Sequence, residues 1–381
     1  MRIGINANFF AKPSTGIGVV TREFMHALAE TPEGREHEWI WYFEGLVPVG
    51  AWPKNWQFQK VSTWWQRDDT LHRYLWESVA LPRAVKRDQC DIFFSLYQSA
   101  TVLPAKIRHV MLVHDLIPKH FPEYLHTLYQ RLHYRAIERG MRAAQYIITP
   151  SQTTKRDLEL LLSIPQERSI IAPLGSAERF RETVPVDTRD AILKRYMLTP
   201  GYLYHGGGLE LRKNTALLLR AYAQLTKAAD RERLPPLVIS GVVHAESNPL
   251  ATPVRALITE LGLKDQVRLL GWVPDEDLPV LYQSAKMFIY PSRYEGFGLP
   301  VLEAFASGTP VITTPSGSLA ELVQDAALTV SPDDASGLAQ AIHSLLTDPE
   351  LGTALSVKGR RRVADYSWSR FVSLVINRLL Q

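Results

Sequence analysis

Short apolar runs alternate with longer stretches of helical periodicity from one end of the chain to the other, and no other feature restricts the possible folds as strongly. The alternation predicts an α/β architecture, a parallel sheet covered by helices on both faces. In the first half the strand candidates are residues 2–5, 38–43, 92–94, 110–113 and 146–148, and the last of these runs into a turn and a helix that Ser151 is placed to cap. Residues 173–188 change character, with Pro, Gly and charged residues in place of periodic apolar ones, and read as a linker. A second series follows, with strand candidates at 202–205, 237–240, 267–270, 287–290 and 311–313, and helices such as 214–228 and 299–306. No repeat at solenoid spacing relates the halves, so they are alike in pattern rather than in residues. Two doubly wound, Rossmann-like domains facing each other across a cleft are expected, with ligand bound beyond the carboxyl ends of the strands.

Composition narrows the function. The 381 residues suffice for two domains with cores of their own, and 46% hydrophobic with 22% charged residues excludes a disordered or fibrous chain. A net charge of +4 is too small to announce a nucleic-acid partner, so none is expected. Cys90 is the single cysteine, and the start Met1-Arg2-Ile3-Gly4-Ile5-Asn6 has no apolar run of signal-peptide length. A reducing cytoplasm is the expected compartment. Every long apolar segment is broken by Arg, Lys, Glu or Pro, so membrane contact would be peripheral, at the inner face of the cytoplasmic membrane.

The most informative segment runs from Pro291 to Ala304, P-S-R-Y-E-G-F-G-L-P-V-L-E-A. It follows a strand, passes through a glycine turn and enters a helix whose free N–H groups and positive dipole end suit a phosphate. Glu303 lies eight residues after Glu295, so the two could grip different parts of one extended ligand, the pattern expected for a nucleotide sugar. A glycine turn flanked by two solvated glutamates satisfies the same spacing, and residue pattern alone leaves both readings open.

This segment resembles the E-x7-E motif of retaining, family-4-type glycosyltransferases of the GT-B fold. Gly271-Trp272-Val273-Pro274, with Leu278, Leu281, Tyr282 and Ala285, and then the run Ala304 to Ile312, are similar to the core of that family's C-terminal domain. Upstream, Tyr204-His205-Gly206-Gly207-Gly208 leading to Arg212-Lys213-Asn214 resembles its glycine turn. Thr15-Gly16-Ile17-Gly18 resembles the N-terminal glycine loop, and Val113-His114-Asp115-Leu116-Ile117-Pro118 the histidine segment. The likeness covers most of the chain and fades between about residues 35 and 90. Ordered motifs at family-like separations make it specific.

The resemblance implies roles residue by residue. Glu295 and the amides of Gly296, Phe297 and Gly298 would face the donor sugar, Glu303 would bind the ribose, and Gly207, Val273 and Leu299 would complete the donor set. Gly16 and Gly18 would close on the phosphates or acceptor. Lys213 would neutralise the leaving diphosphate, where a preorganised cation acts most strongly in the transition state. Many relatives carry an arginine five residues before this lysine, where the chain has Gly208. Arg212 could share the load, although in an extended segment its side chain would point away from that of Lys213. His114 would sit near donor sugar and acceptor in a hydrogen-bonding or polarising role; by residue pattern alone it caps a loop beside Asp115 as a helix N-cap. Catalysis would rest on His114, Lys213 and Glu295, with no metal and no cofactor beyond the nucleotide-sugar substrate. The resemblance also divides the chain into an acceptor domain at 1–180 and a donor domain at 181–365, with a final helix at 366–381 crossing back to the first.

Other features have structural readings beside functional ones. Asp275-Glu276-Asp277 offers a metal-binding D-x-D, but N-capping of the following helix explains it. Gly16-Ile17-Gly18 lacks the third glycine of a dinucleotide fingerprint, having Thr21 there, which disfavours NAD. There is no metal-spaced Cys/His cluster, no G-x-S-x-G elbow and no Walker A loop. Seven of nine tryptophans fall between Trp39 and Trp76; Trp39 and Trp41 read as strand core, whereas Trp52, Trp56, Trp64 and Trp65 read as a loop that could stack on acceptor sugars. Arg131, Arg135, Arg139 and Arg142 share a predicted helix face with Tyr134 and Ile137. That face could dock on anionic lipid, bind an acceptor phosphate or simply be solvated. A further basic run spans Lys358 to Arg362.

The function implied is transfer of a hexose, with retention, to a carbohydrate or lipid-linked glycan acceptor. The H-D-L-I-P and L-R-K-N segments most resemble mannosyltransferases of bacterial polysaccharide assembly, of the O-antigen type, so GDP-mannose is the favoured donor. A UDP-sugar donor, an epimerase or phosphorylase of the same fold, and a non-catalytic nucleotide-sugar-binding protein are the alternatives.

Overall fold

A computed structural model of the chain describes all residues except 13–14, 46, 65–69, 229–233 and 246. It divides into two compact units, Met1–Gly175 with Trp368–Gln381, and Ser176–Ser367.

In the first unit the described residues form a seven-stranded sheet of order β3-β2-β1-β4-β5-β6-β7. The strands are β1 (Arg2–Asn6), β2 (Glu38–Phe43), β3 (Trp56–Lys60), β4 (Ile92–Ser95), β5 (Arg108–Leu112), β6 (Tyr146–Thr149) and β7 (Ser169–Ile171). Every pairing is parallel. Helices cover both faces, so β4 (Ile-Phe-Phe-Ser) is buried at every residue rather than alternating. The helix Gln152–Leu162 starts where Ser151 Oγ accepts the Thr154 N–H at 3.0 Å. The last helix, Trp368–Leu380, packs on the helix Gly16–Ala29: Phe371 meets Phe24 at 6.1 Å between ring centroids, and Arg108 donates to the Leu379 carbonyl at 2.9 Å.

The second unit has a six-stranded parallel sheet of order β10-β9-β8-β11-β12-β13, comprising β8 (Tyr202–His205), β9 (Leu237–Ser240), β10 (Val267–Gly271), β11 (Ala285–Tyr290), β12 (Val311–Thr313) and β13 (Leu328–Thr329). Its core gathers Leu203, Leu218, Leu237, Met287, Ile289, Ile312 and Leu338, all at or below 1% exposure among the buried residues of the cluster. Residues 176–180 pack here rather than on the first unit, because Phe180 lies edge-on to Tyr282 at 5.8 Å. The unit boundary therefore falls at Gly175/Ser176, ahead of residue 180.

Three strands escape the apolar pattern. β7 and β13 are very short, and β3 (Trp-Gln-Phe-Gln-Lys) alternates with polar residues as an edge strand does. Placing Trp56 in β3 overturns the expectation of a sugar-stacking loop there. Trp56 is buried against Trp41 at 4.7 Å, and the half-buried Trp52 stacks one face on Trp56 at 5.4 Å with an 11° interplanar angle. Of that group only Trp64 is exposed among the described residues; Trp65 lies outside them.

Candidate active site

An open α/β sheet binds ligand where its strand order reverses, because the loops on either side there splay apart. In the second unit that point lies between β8 and β11. The chain leaves β8 through Gly206 to Gly208 and forms a 3-10 turn at Leu211–Lys213, closed by Asn214 in the left-handed conformation at φ 59°. It leaves β11 through Pro291 to Gly298 and enters the helix Leu299–Ala306. The two loops are laced together: the Arg212 carbonyl accepts the Arg293 N–H at 2.7 Å and the Ser292 hydroxyl at 3.0 Å.

This lacing aims two cations at one carboxylate. Glu295 Oε1 accepts from Arg212 Nη1 at 2.8 Å, Lys213 Nζ at 2.8 Å, Tyr290 OH at 2.9 Å and Ser292 Oγ at 2.7 Å. Its Oε2 accepts no hydrogen bond among the described residues. Burial by itself pushes the Glu295 carboxyl up, but Arg212 and Lys213, with hydrogen bonds from Lys213 and Ser292, outweigh it and hold it at about 2. Burial and the adjacent Arg212 push the Lys213 ammonium down against the pull of Glu295. Arg212 does not point away from Lys213, as an extended segment would have it: the 3-10 turn brings both side chains to the same oxygen.

The residues expected to complete the donor set, apart from Gly16 and Gly18, lie in the same second unit. Glu303, inside the helix Leu299–Ala306, accepts from the buried Tyr282 hydroxyl at 3.1 Å. Gly207 has φ 90°, and a Cβ there would lie 2.9 Å from Pro300 Cγ, so the glycine lets the β8 loop and the helix start close up. Gly298 takes the N-cap position, Phe297 packs on Tyr366 at 5.8 Å, and Val273 is buried after β10 beside the half-exposed Trp272. Gly296 and Leu299 lie in the same turn and helix start.

Three contributors carry no signature in the sequence. Tyr290 and Ser292 bind Glu295 directly, and Ser318 holds its carbonyl by N–H and hydroxyl, each at 3.0 Å. Their only sequence signal is position, two flanking the glycine turn and one in the Ser316-Gly317-Ser318 loop after β12.

The first unit holds the remaining residues. His114, after β5, is buried; its Nε2 donates to the Leu96 carbonyl at 2.9 Å and its N–H to Gln98 Oε1 at 3.2 Å. That bond puts the imidazole proton on Nε2 and leaves Nδ1 as an acceptor, and burial keeps the ring neutral against the opposing pull of Leu96 and Asp115. Asp115 accepts the Ile117 N–H at 3.1 Å, a local turn contact. Gly16 begins its helix with open space beside it, whereas the Gly18 N–H is already taken by Thr15 Oγ1 at 3.0 Å.

Asp277 is not a free carboxylate. It accepts Arg195 Nη1 at 2.8 Å and the Tyr196 hydroxyl at 2.6 Å, and although it occupies the N-cap position its side chain makes no cap bond. Among the described residues no group of His, Cys, Asp and Glu side chains is placed to hold a metal ion. Arg131, Arg135, Arg139 and Arg142 are exposed, but Tyr134 and Ile137 belong to the buried face of their helix, Leu128–Ala143; the exposed face carries Leu128, Tyr129 and Leu132 instead. In the second basic run, Lys358 pairs with Asp325 at 2.8 Å and Arg362 donates to the carbonyls of Leu322 and Glu321, so it fastens one helix to another.

Two parallel Rossmann-like units, with a cation pair and a buried carboxylate at the reversal point of one, define the GT-B class. WaaG, a glycosyltransferase involved in lipopolysaccharide biosynthesis, has the same fold at a TM-score of 0.78 and 18% identity, covering 100% of this chain and 99% of that one. The chain belongs to the family-4, group 1 glycosyltransferases: the model Glycosyltransferase Family 4 matches residues 14–176, and Glycosyl transferases group 1 matches 198–362. It is 32% identical over 277 residues to O-antigen chain mannosyltransferase B of Escherichia coli, covering 72% of this chain and 71% of that protein. It is also 31% identical over 242 residues to the MMP alpha-(1->4)-mannosyltransferase of Mycolicibacterium hassiacum, covering 62% of this chain and 54% of the relative. The chain is thus a glycosyltransferase.

Proposed function

We propose that the protein transfers mannose from GDP-mannose, with retention of configuration, to a carbohydrate or lipid-linked glycan acceptor in bacterial polysaccharide assembly. The observation that carries this reading is the convergence of Arg212 and Lys213 on Glu295 in a chain that has mannosyltransferases among its relatives. Breaking the bond between a sugar and a nucleoside diphosphate builds negative charge on the departing phosphate. Two cations held in place before the reaction stabilise that charge without reorganising. Glu295 Oε2 would then face the donor sugar and Glu303 the ribose, and the neutral His114 presents Nδ1 as a hydrogen-bond acceptor. Arg212, Lys213, Tyr290 and Ser292 all hold Glu295 through Oε1, which fits a carboxylate that orients the sugar and supports front-face departure assisted by the leaving phosphate.

The chemistry assigned to Arg212 and Lys213 needs neither metal nor cofactor, so turnover is expected to survive EDTA. A thermal-shift screen against GDP, UDP, dTDP, ADP and NAD tests the donor, since a ligand that binds only the folded state raises its melting temperature. A selective response to GDP supports GDP-mannose, a response to UDP changes the donor, and a response to NAD alone refutes the assignment. Among the described residues no helix is long and apolar enough to cross a membrane. Contact with an anionic membrane through Arg131, Arg135, Arg139 and Arg142 is part of the proposal, since a lipid-linked acceptor would be presented there.

A further inference from the structure

Tyr282 lies on the short helix Leu278–Ser284, between β10 and β11, and its buried ring is packed from three sides. Tyr204 of β8 meets it at 5.2 Å between centroids and 80° between planes, Phe288 of β11 at 5.1 Å and 69°, and Phe180 at 5.8 Å and 74°. Rings set edge to face in this way attract one another beyond the area they bury. The clamp fixes the ring plane, and with it the direction of the hydroxyl.

That direction is toward the helix Leu299–Ala306, where the Tyr282 hydroxyl donates to Glu303 Oε2 at 3.1 Å. A second bond ties the backbone of the same residue to the turn after that helix: Thr309 Oγ1 donates to the Tyr282 carbonyl at 2.7 Å. The neighbouring Tyr204 hydroxyl is engaged elsewhere, 2.7 Å from Ser240 Oγ. Burial, with the charge of Glu303 beside it, pushes the Tyr282 phenol well above its ordinary value, so it stays protonated and remains the donor of this bond.

Glu303 needs such a hold. It is half-buried between the buried Leu302 and Ala304, and a glutamate has several rotatable bonds through which its carboxylate can swing out to water. A carboxylate held in place discriminates between ligands, because an analogue lacking a hydroxyl leaves an acceptor unpaired. One that is free to turn recovers water instead, and the penalty for the missing hydroxyl shrinks.

We infer that Tyr282 is a positioning residue for the nucleotide: by holding Glu303 it sets the preference of the site for a ribonucleotide over a deoxyribonucleotide. The inference rests on the donor reading, in which Glu303 meets the ribose. The test is calorimetry of the full chain with GDP and its 2′-deoxy and 3′-deoxy forms, and with the same set for UDP. Wild type, Tyr282→Phe, Glu303→Ala and the double variant are compared. Phenylalanine keeps the three ring contacts, so Tyr282→Phe should melt close to the wild-type temperature. The wild type should prefer the ribonucleotide over at least one deoxy form by about ten-fold or more, and Tyr282→Phe should cut that ratio by at least about three-fold. Thr309→Val, which loosens the same tyrosine from its backbone side, should lower the ratio as well. A side chain that only filled the core would weaken all the nucleotides alike and leave the ratio where it was. In the Glu303→Ala background Tyr282→Phe should move the ratio no further, since it acts through that carboxylate. With the sugar donor, the Tyr282→Phe loss should fall on KM more than on kcat, because the ribose is held alike in ground and transition states. A wild-type ratio in Tyr282→Phe, or a further fall of the ratio in the double variant, would overturn this inference and leave the donor reading standing. A wild type that binds nucleotide with no preference for the ribose form would overturn it together with the role of Glu303. No response to any of the nucleotides would refute the donor reading, and this inference with it.

Discussion

Lys213 Nζ lies 2.8 Å from Glu295 Oε1, and both side chains are buried. Removing one member of a buried ion pair normally leaves a costly lone charge, but Arg212 Nη1 is on the same oxygen at 2.8 Å. Lys213→Ala should therefore fold while losing the cation assigned to the leaving diphosphate. Turnover is expected to fall by about 10²-fold or more, the scale of removing one preorganised charge-stabilising group. Steady-state release of nucleotide from the sugar donor measures it, and unchanged turnover sinks the role. Because both cations share one carboxylate oxygen, the Arg212→Ala and Lys213→Ala effects should not add in a double-mutant cycle.

Gly317 controls the same carboxylate from behind. It has φ 61°, and a Cβ there would lie 2.5 Å from the Glu295 carbonyl oxygen and 2.9 Å from its amide nitrogen. Both contacts are with backbone, so Gly317→Ala has to displace Glu295 or the Ser318 bonds that hold it. A residue that touches neither cation should lower activity ten-fold or more, and the strained backbone should cost ~1–3 kcal/mol of stability. Chemical denaturation alongside kinetics separates the two, and wild-type activity in this variant would show that Glu295 tolerates displacement.

What could be read from the sequence follows how local each feature is. The α/β class and the strands at 38–43 and 202–205 are written in contiguous apolar residues, and the Glu295 and Glu303 pair in a contiguous motif. β3 was hidden because an edge strand needs only one buried face, and its two glutamines broke the run. The direction of the Arg212 side chain depends on a 3-10 turn, which Arg-Lys-Asn does not announce. Gly317, Ser318 and the buried Glu77 were illegible for a different reason. Each matters through a partner distant in sequence, such as His133 for Glu77, and one sequence does not record that distance.

Acid should weaken the fold by a route the buried carboxylates specify. Burial pushes Glu77 upward, but Arg73 and His133 outweigh it and hold it at about 2, as Arg212 and Lys213 do for Glu295. An unfolded glutamate titrates near 4.3. A carboxyl whose folded pKa is depressed contributes stability that is fully present above the unfolded value and is lost as pH falls through the folded one. Each should thus contribute on the order of 3 kcal/mol at neutral pH, disappearing between about pH 5 and pH 2. Urea unfolding across that range should show a falling midpoint, and one that is flat down to pH 3 would refute the assignment.

The helix Leu128–Ala143 gives the membrane proposal a physical form. Leu128, Tyr129 and Leu132 are 68%, 68% and 49% exposed, an unusual set of apolar side chains for a solvated first turn and a half. Arg131, Arg135 and Arg139 are exposed on the same helix. Of these arginines only Arg131 has a bonded guanidinium among the described contacts, to the Leu125 carbonyl at 2.8 Å. Apolar residues that enter the headgroup boundary beside cations that meet anionic lipid are the two components of interfacial binding, the cations contributing ~1 kcal/mol each. Sedimentation with vesicles should show binding that grows with the fraction of anionic lipid and weakens with salt. Arg135→Glu with Arg139→Glu should remove the salt-dependent part, and Leu128→Ser with Leu132→Ser the remainder, while transfer to a soluble glycan stays unchanged because none of these side chains reaches Glu295 or His114 by any described contact. Equal sedimentation of the wild type and both double variants would mean that this helix faces solvent and that the acceptor is met elsewhere.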